Sequence, residues 1–338
     1  MFFLISIWGT GRKEYSAMKF LIFTFLASAF MLIGILALYF STGIHTFDMT
    51  ELPSKIQTAT LIIPSGLIFT LLFVGFAVKL PVWPFHTWLP DAHTDAPTAV
   101  SVMLAGVLLK MGGYGMLRVS VSMFPNVITE VAWILIILGV INVLYGAIVT
   151  LRQTDLKRLI AFSSISHMGY VLVGISSVAG AAGNATVGLT GAAMQMFTHG
   201  TITGLMFLLV GLVYEKAHTR HIPDLGGLAT RMPILASGFI LAGLASLGLP
   251  GTSGFVGEFL TLLGAFRAKY VLGPPYAVMA GFGLIFAAIY ILFMVGKVVF
   301  GPLKVPRVEN GHCLSRDLNL REIVTLTPLA AGCLWLGL

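Results

Sequence analysis

Five titratable side chains, Lys79, Lys110, His167, His199 and Glu258, stand inside stretches dominated by apolar residues and glycine. An ionisable group inside a membrane costs roughly 2.5–3.5 kcal/mol on insertion scales, so its presence there is by default a sign of function. Burial penalises the charged form of any acid or base, and a nearby opposite charge restores it. A small rearrangement can therefore load or unload a proton. Lys79 and Lys110 read as proton-relay groups of this kind. A lysine snorkelling from a helix end is the ordinary alternative, but apolar residues follow Lys79 and flank Lys110 on both sides. Glu258 is the complementary acid, a candidate terminal proton site. Its competing reading is a carboxylate capping the half-helix after Gly254, where the helix dipole favours an anion. His167 (in Ser163-Ser-Ile-Ser-His167-Met-Gly-Tyr170) and His199 (in Gln195-Met-Phe-Thr-His199-Gly) lie in successive spans. Imidazole can bridge lysines or hold an ordered water. A lone helical histidine is more often a packing residue, but two on adjacent spans beside hydroxyl side chains point to the relay.

Other polar clusters carry less. His86, Asp91 and His93 match no standard metal spacing and have no evident fourth ligand, so they read as loop-capping groups and no metal is expected. Asp155, Lys157 and Arg158 read as a juxtamembrane charged turn, either an ion pair or a lipid headgroup contact. Glu130, Asn142 and Arg118 fall at or within span ends and receive no role. Cys313 and Cys333 form neither a metal spacing nor a disulfide framework and read as structural. A glycine-rich phosphate loop, haem or iron–sulfur spacing and a nucleophile elbow are all missing. No cofactor and no bond-making chemistry are expected.

The elements that must position these groups are membrane spans. Of 338 residues 57% are hydrophobic and only 10% charged, with mean hydropathy +0.95, against about 25% charged in soluble domains. No water-facing surface can be built from that mixture. The net charge of +7 is no nucleic-acid signal, because the basic residues sit in inter-helix loops, where orientation sets them. Continuous spans are expected near 19–41, 97–119, 127–150, 159–179, 187–214 and 276–300, with a partial one from Ile323. Loop residues 90–95 lead into the second of these, with Asp95 as its N-cap and Pro97 in its first turn. The 59–89 run is too long for one straight helix, and Pro81 and Pro84 break it beside Lys79. Pro250 with Gly248, Gly251 and Gly254 interrupts a second run, 234–263, just before Glu258. Two discontinuous helices five spans apart suggest paired repeats, as in transporters that bind ions at broken helices.

Counting each broken helix once, Arg12, Lys13, Lys19, Arg152, Lys157, Arg158, Lys216, Arg220, Arg231, Lys304, Arg307, Arg316 and Arg321 fall on one side. Arg267 and Lys269 are the exception. The positive-inside rule makes the basic side, with the 86–95 loop, cytoplasmic, matrix or stromal. The apolar Met1–Trp8 is too short for a span, and 324–338 stops without a clear exit, so the chain reads as cut inside a helix at each end. No cleavable signal peptide is visible.

The run from Lys79 through Leu-Pro-Val-Trp-Pro-Phe-His-Thr-Trp-Leu-Pro-Asp-Ala-His-Thr-Asp-Ala-Pro-Thr98 resembles the antiporter-like subunits of proton-pumping NADH:quinone oxidoreductase, respiratory complex I and its photosynthetic relative. The stretches Asp155-Leu-Lys-Arg-Leu-Ile-Ala-Phe-Ser-Ser-Ile-Ser-His167-Met-Gly-Tyr and Pro250-Gly-Thr-Ser-Gly-Phe-Val-Gly-Glu258-Phe continue the likeness, which covers essentially the whole chain. Glu258 is similar to the branch that places a carboxylate where sibling subunits place lysine. The resemblance implies a fourteen-helix fold with two inverted five-helix repeats. Lys79 would be the central lysine beside a broken helix and Lys110 the bridging lysine. His167 and His199 would lie on the connecting hydrophilic axis, with Glu258 at its end. The family pairs its broken-helix lysine with a glutamate on the preceding helix. Met1–Trp8 corresponds to the last turns of that helix, so the glutamate would sit just before Met1 and the first repeat is incomplete.

The expected fold is an all-α, polytopic transmembrane helix bundle with two discontinuous helices and partial inverted five-helix repeats. Residues 1–126 would be the remainder of the first repeat, 127–300 the second, and 301–338 a loop and the start of the final helix. The expected function is that of a proton-translocating, non-redox subunit of the oxidoreductase in a bacterial or organellar energy-transducing membrane. Its partners would be neighbouring antiporter-like subunits and the lipid bilayer, with quinone touched only indirectly and nucleic acid not at all. The alternatives are a subunit of a multisubunit cation/proton antiporter, or a fragment without function of its own.

Overall fold

The computed structural model describes residues 1–41, 46–58, 61–180, 182–268, 273–304 and 317–337. It is built of helices: α1 (Phe2–Trp8), α2 (Lys13–Ser41), α3 (Leu52–Thr58), α4 (Ser65–Lys79), α5 (Trp88–Asp95), α6 (Thr98–Met103), α7 (Leu109–Gly115), α8 (Pro125–Thr150), α9 (Leu156–Ser176), α10 (Ala182–Ala217), α11 (Pro233–Ser246), α12 (Ser253–Arg267), α13 (Gly273–Val298) and α14 (Leu320–Trp335). Among the described residues there is no sheet beyond the isolated bridges Asp155–His221 and Gly226–Lys304. Among the described residues, six stretches are long and apolar enough to cross a membrane. In hydrocarbon every backbone polar group must be satisfied internally, so helices are the form this composition allows.

Helix starts follow local chemistry. Pro125 and Pro233 open α8 and α11, where a missing N–H is harmless. Asp155 caps α9 by accepting from the Arg158 N–H at 3.0 Å, and Asn319 with Glu322 forms a capping box on α14. Pro97, not Asp95, precedes the first residue of α6. Asp95 instead ends α5, buried, where its carboxylate accepts from Ser16 Oγ at 2.5 Å. The 90–95 stretch is thus helical rather than a loop.

Both expected breaks occur. At the first, α4 stops at Lys79, and its last carbonyls are taken up by the chain that follows. Phe76 O accepts from Leu80 N at 2.8 Å, Ala77 O from Val82 N at 2.9 Å, and Val78 O from Trp88 Nε1 at 2.9 Å. At the second, α11 ends at Ser246 and α12 begins at Ser253. Gly248 and Gly251 turn the chain with φ of +74° and +88°, values that suit glycine alone. The span of 98–121 carries π-helical turns at Leu104–Leu108 and Met116–Val121 on either side of α7.

The α9 span is buried along its whole length, whereas α2 turns most of its surface outward. Small residues let α8 and α9 approach closely: a methyl group on Gly139 would stand 3.0 Å from Gly169 O, the close packing expected between membrane helices. The basic loops gather at one end. Lys19 pairs with Asp91 at 2.7 Å, Arg220 with Asp155 at 2.6 Å and Lys216 with Glu322 at 3.4 Å, while Lys304 N donates to Gly226 O. Arg307, Arg316, Lys269 and Cys313 lie outside the described residues.

Candidate functional site

Lys110 enters the bundle as the second residue of α7, directly after the first π stretch. A π turn widens the helix, and Lys110 Nζ donates back to Ala105 O within that stretch. The same ammonium meets His199 Nδ1 of α10 at 2.7 Å. When Lys110 is an ammonium it has only donors, so His199 Nδ1 then accepts and the ring proton is on Nε2. That Nε2 is buried without a partner among the described residues. The His199 ring lies 5.6 Å, centroid to centroid, from that of His167 on α9. His167 Nδ1 in turn meets Glu258 Oε1 of α12 at 2.7 Å, a hydrogen-bonding separation. His199, His167 and Glu258 are each at most 4% exposed.

Glu258 is thus not a cap. It stands in the second turn of α12 and reaches across to α9. Its Oε2 finds no hydrogen-bond partner among the described residues, and neither does Gln195 Oε1. These unpaired acceptors and the unpaired His199 Nε2 belong to residues that border one cavity of about 10 Å³, together with His167, Thr198, Ile202, Ala245, Ser246 and Gly254. A water needs roughly 10–15 Å³ and two to four polar partners. The cavity has the size and lining for one water joining the two hydrogen-bonded pairs. Tyr290 OH extends the network, 3.4 Å from His167 Nε2 and 3.0 Å from Ser163 Oγ.

Lys79 stands apart. It is the last residue of α4, half-buried, and makes no hydrogen bond or ion pair with any described residue. Lys110 also borders an open groove of about 800 Å³ between the 98–121 span and α10, walled by Val102, Met103, Val107, Met111 and Phe197. That lining suits hydrocarbon rather than water. Of the five expected site residues, the structure joins Lys110, His199, His167 and Glu258 and leaves Lys79 outside them, at the end of α4.

Sequence reasoning missed several polar contacts. Tyr290 and Gln195 gave no signal beyond a polar group in an apolar helix. Asn142, assigned no role, is completely buried on α8 and bonds two backbone groups of the first break. The loop-capping reading of His86, Asp91 and His93 is replaced by three separate partners: Tyr145 OH at 3.3 Å, Lys19, and the Phe207 ring stacked at 4.7 Å. The charged turn at 155–158 does hold an ion pair, but Asp155 takes Arg220 from the next loop. Lys157 turns inward, buried, and donates to Ala96 O at 2.6 Å, so it is not a headgroup contact.

Residues 1–283 match the family model described as NADH:quinone oxidoreductase/Mrp antiporter, transmembrane. The chain belongs to that family. Among relatives of this oxidoreductase/antiporter family, it is 43% identical over all 338 residues to NADH-quinone oxidoreductase subunit M of Rickettsia prowazekii, and it spans 65% of that protein's length. Among solved structures, it superposes on a chain of respiratory complex I from Thermus thermophilus with a TM-score of 0.85 and 30% identity, covering 99% of this chain and 68% of the other. A chain of the Mrp complex from Dietzia sp. shares the fold, with a TM-score of 0.81 at 20% identity over 96% of this chain and 65% of the other. The all-α, multi-pass membrane architecture with two broken helices is therefore that of the oxidoreductase/antiporter family.

Proposed function

We propose that this chain works as a proton-translocating, non-redox membrane subunit of an NADH:quinone oxidoreductase, moving protons while quinone is reduced elsewhere in the complex. The observation that carries the reading is the buried line Lys110–His199–His167–Glu258, two pairs at 2.7 Å each on either side of a water-sized cavity. A proton arriving at Lys110 has a direct acceptor in His199. One water carries it to the Glu258 carboxylate, already bonded to His167. Lys79 is assigned the entry position, because its helix break packs on the same span as Lys110. A methyl on Gly112 of α7 would stand 2.6 Å from Leu80 N. Neighbouring antiporter-like subunits and lipid are the expected partners. The division into a partial first repeat, 1–126, and a second, 127–300, is supported by the matching positions of the two breaks.

Lys79→Ala and Glu258→Gln test the reading in reconstituted complex. Each is expected to lower proton pumping per electron with assembly intact. Unchanged pumping in both variants rejects it. The fold shared with an Mrp chain supports a second reading, a subunit of a multisubunit cation/proton antiporter. Sodium-dependent proton movement in vesicles lacking NADH and quinone would favour that one.

A further inference from the structure

Among the described residues, one side chain from another span hydrogen-bonds the backbone of the first break. Asn142 of α8, with no exposed surface, accepts the Trp83 N–H on Oδ1 at 2.7 Å and donates from Nδ2 to Pro81 O at 3.1 Å. These are backbone groups that the break takes out of helical pairing, and in hydrocarbon they must be satisfied by protein. The next residue on α8 faces the other way. Val143 O accepts from Ser166 Oγ of α9 at 2.8 Å, and Ser166 adjoins His167. Around this contact the helices are locked together: a methyl on Gly146 would stand 2.6 Å from Ser166 N, and one on Gly169 would stand 2.8 Å from Val143 N. An unbroken series of short contacts therefore runs from the chain after Lys79, through Asn142–Val143, to the backbone that carries His167 and so to Glu258.

We propose that Asn142 is a positioning residue that couples the geometry of the Lys79 break to the His167–Glu258 pair. It touches no transferred proton. The two backbone groups beyond Lys79 and the Ser166–His167 backbone cannot move independently while Asn142 bonds both Pro81 and Trp83. A change of charge on Lys79 that shifts the break is then felt at Glu258 through α8 as well as through space. This inference rests on the relay reading of Lys79 and Glu258, but concerns how they communicate rather than whether protons cross.

A double-substitution cycle tests it on the full chain in lipid nanodiscs, with the protonated-carboxyl infrared band of Glu258, assigned by its loss in Glu258→Gln, followed against pH. His167, His199 with its partner Lys110, Gln195, Thr198, Ser246, Tyr170 and Tyr290, the titratable and polar groups around Glu258 and its cavity, stay unchanged in every comparison. With Asn142 present, Lys79→Ala is expected to move the Glu258 midpoint by roughly 0.4–1.5 pH units, the range that residue-to-residue coupling energies span. In an Asn142→Leu background the same change should move it by less than a third as much. Asn142→Asp should restore the response at pH values where the introduced carboxyl is protonated and donates to Pro81 O, and lose it where the carboxyl is ionised and can only accept. If Asn142→Leu does not fold, Asn142→Ser, too short to reach both groups, takes its place. Equal shifts with and without the Asn142 amide, or no shift with it present, overturn the inference. Neither result bears on pumping by the relay variants, which stands or falls on the reconstituted complex.

Discussion

The two broken helices solve the same problem with opposite charges. At the first, Lys79 ends the half-helix α4, where the dipole's negative end suits a cation. At the second, Glu258 stands in the second turn of α12, nearer the positive end that suits an anion. The ends match, but the surroundings do not. Glu258 is buried, bonded to His167 and close to Gln195, while Lys79 is half-buried and has no partner among the described residues. A carboxylate locked into a pair is a place where a proton is held. A lysine without a fixed partner is one whose charge can change at little structural cost. The contrast separates a proton site held in a fixed pair from one whose charge is free to switch, and substitutions on each side can break or sharpen it.

The largest effect is expected at the locked pair. Glu258→Ala strands His167 Nδ1 in the core, and orphaning a buried hydrogen-bonding group costs up to about 3 kcal/mol, more where its partner was charged. Unfolding in detergent, followed by thermal melting, should show a loss of that size. Glu258→Gln keeps an acceptor for His167 and should cost far less while still removing the proton site. Equal loss from both variants would mean that packing, not the pair, holds α12 against α9.

Much of this contrast was legible in the sequence. The apolar run lengths with Pro81, Pro84 and Pro250 marked both breaks to within a few residues, because hydrocarbon leaves so few ways to end a helix. Lys110, His167, His199 and Glu258 stood out for a similar reason, since charge and imidazole are rare in such segments. What stayed hidden depends on tertiary approach. No sequence period announces a π turn, so the bond from Lys110 back to Ala105 was invisible. Asn142 looked like a polar group near a span end, and only the fold brings it to Pro81 and Trp83. Asp95 had the residue type of an N-cap, yet Ser16, 79 positions earlier, holds it instead. Lys157, read as a surface charge, is turned inward by the carbonyl of Ala96.

A middle-sized effect is expected where a glycine permits each close approach. Gly248, at φ +74°, would place a methyl 2.6 Å from Glu258 Oε2. Gly248→Ala combines a left-handed backbone with a clash on the carboxylate and should cost about 1–3 kcal/mol. At the first break Gly112→Ala would set a methyl 2.6 Å from Leu80 N and 2.7 Å from Phe76 O, an overpacking of about 1–3 kcal/mol with no backbone strain. The two are similar in stability but differ in consequence. Gly248→Ala should disturb the Glu258 infrared band directly, whereas Gly112→Ala should reach that band only through the Asn142 contacts, as a smaller shift that Asn142→Leu removes, and should alter proton pumping through the Lys79 break. A change in the Glu258 band from Gly112→Ala as large as that from Gly248→Ala would erase the distinction between the sites.

The smallest stability effect is expected at Lys79 itself. Methionine matches the length of the lysine stem and carries no charge to desolvate, and no described side chain loses a partner when the ammonium goes. Lys79→Met should therefore change the melting free energy by no more than about 0.5 kcal/mol, as at sites without a buried cavity, orphaned group or lost cap, or raise it slightly. Proton pumping in the assembled complex should fall all the same. That combination, an almost silent melt with a damaged pump, is what a switchable cation requires. It is the reverse of a structural lysine, whose loss shows first in the melt. Destabilisation of 2 kcal/mol or more by Lys79→Met would mean that the ammonium is as firmly held as the Glu258 carboxylate, and the two breaks would then be alike.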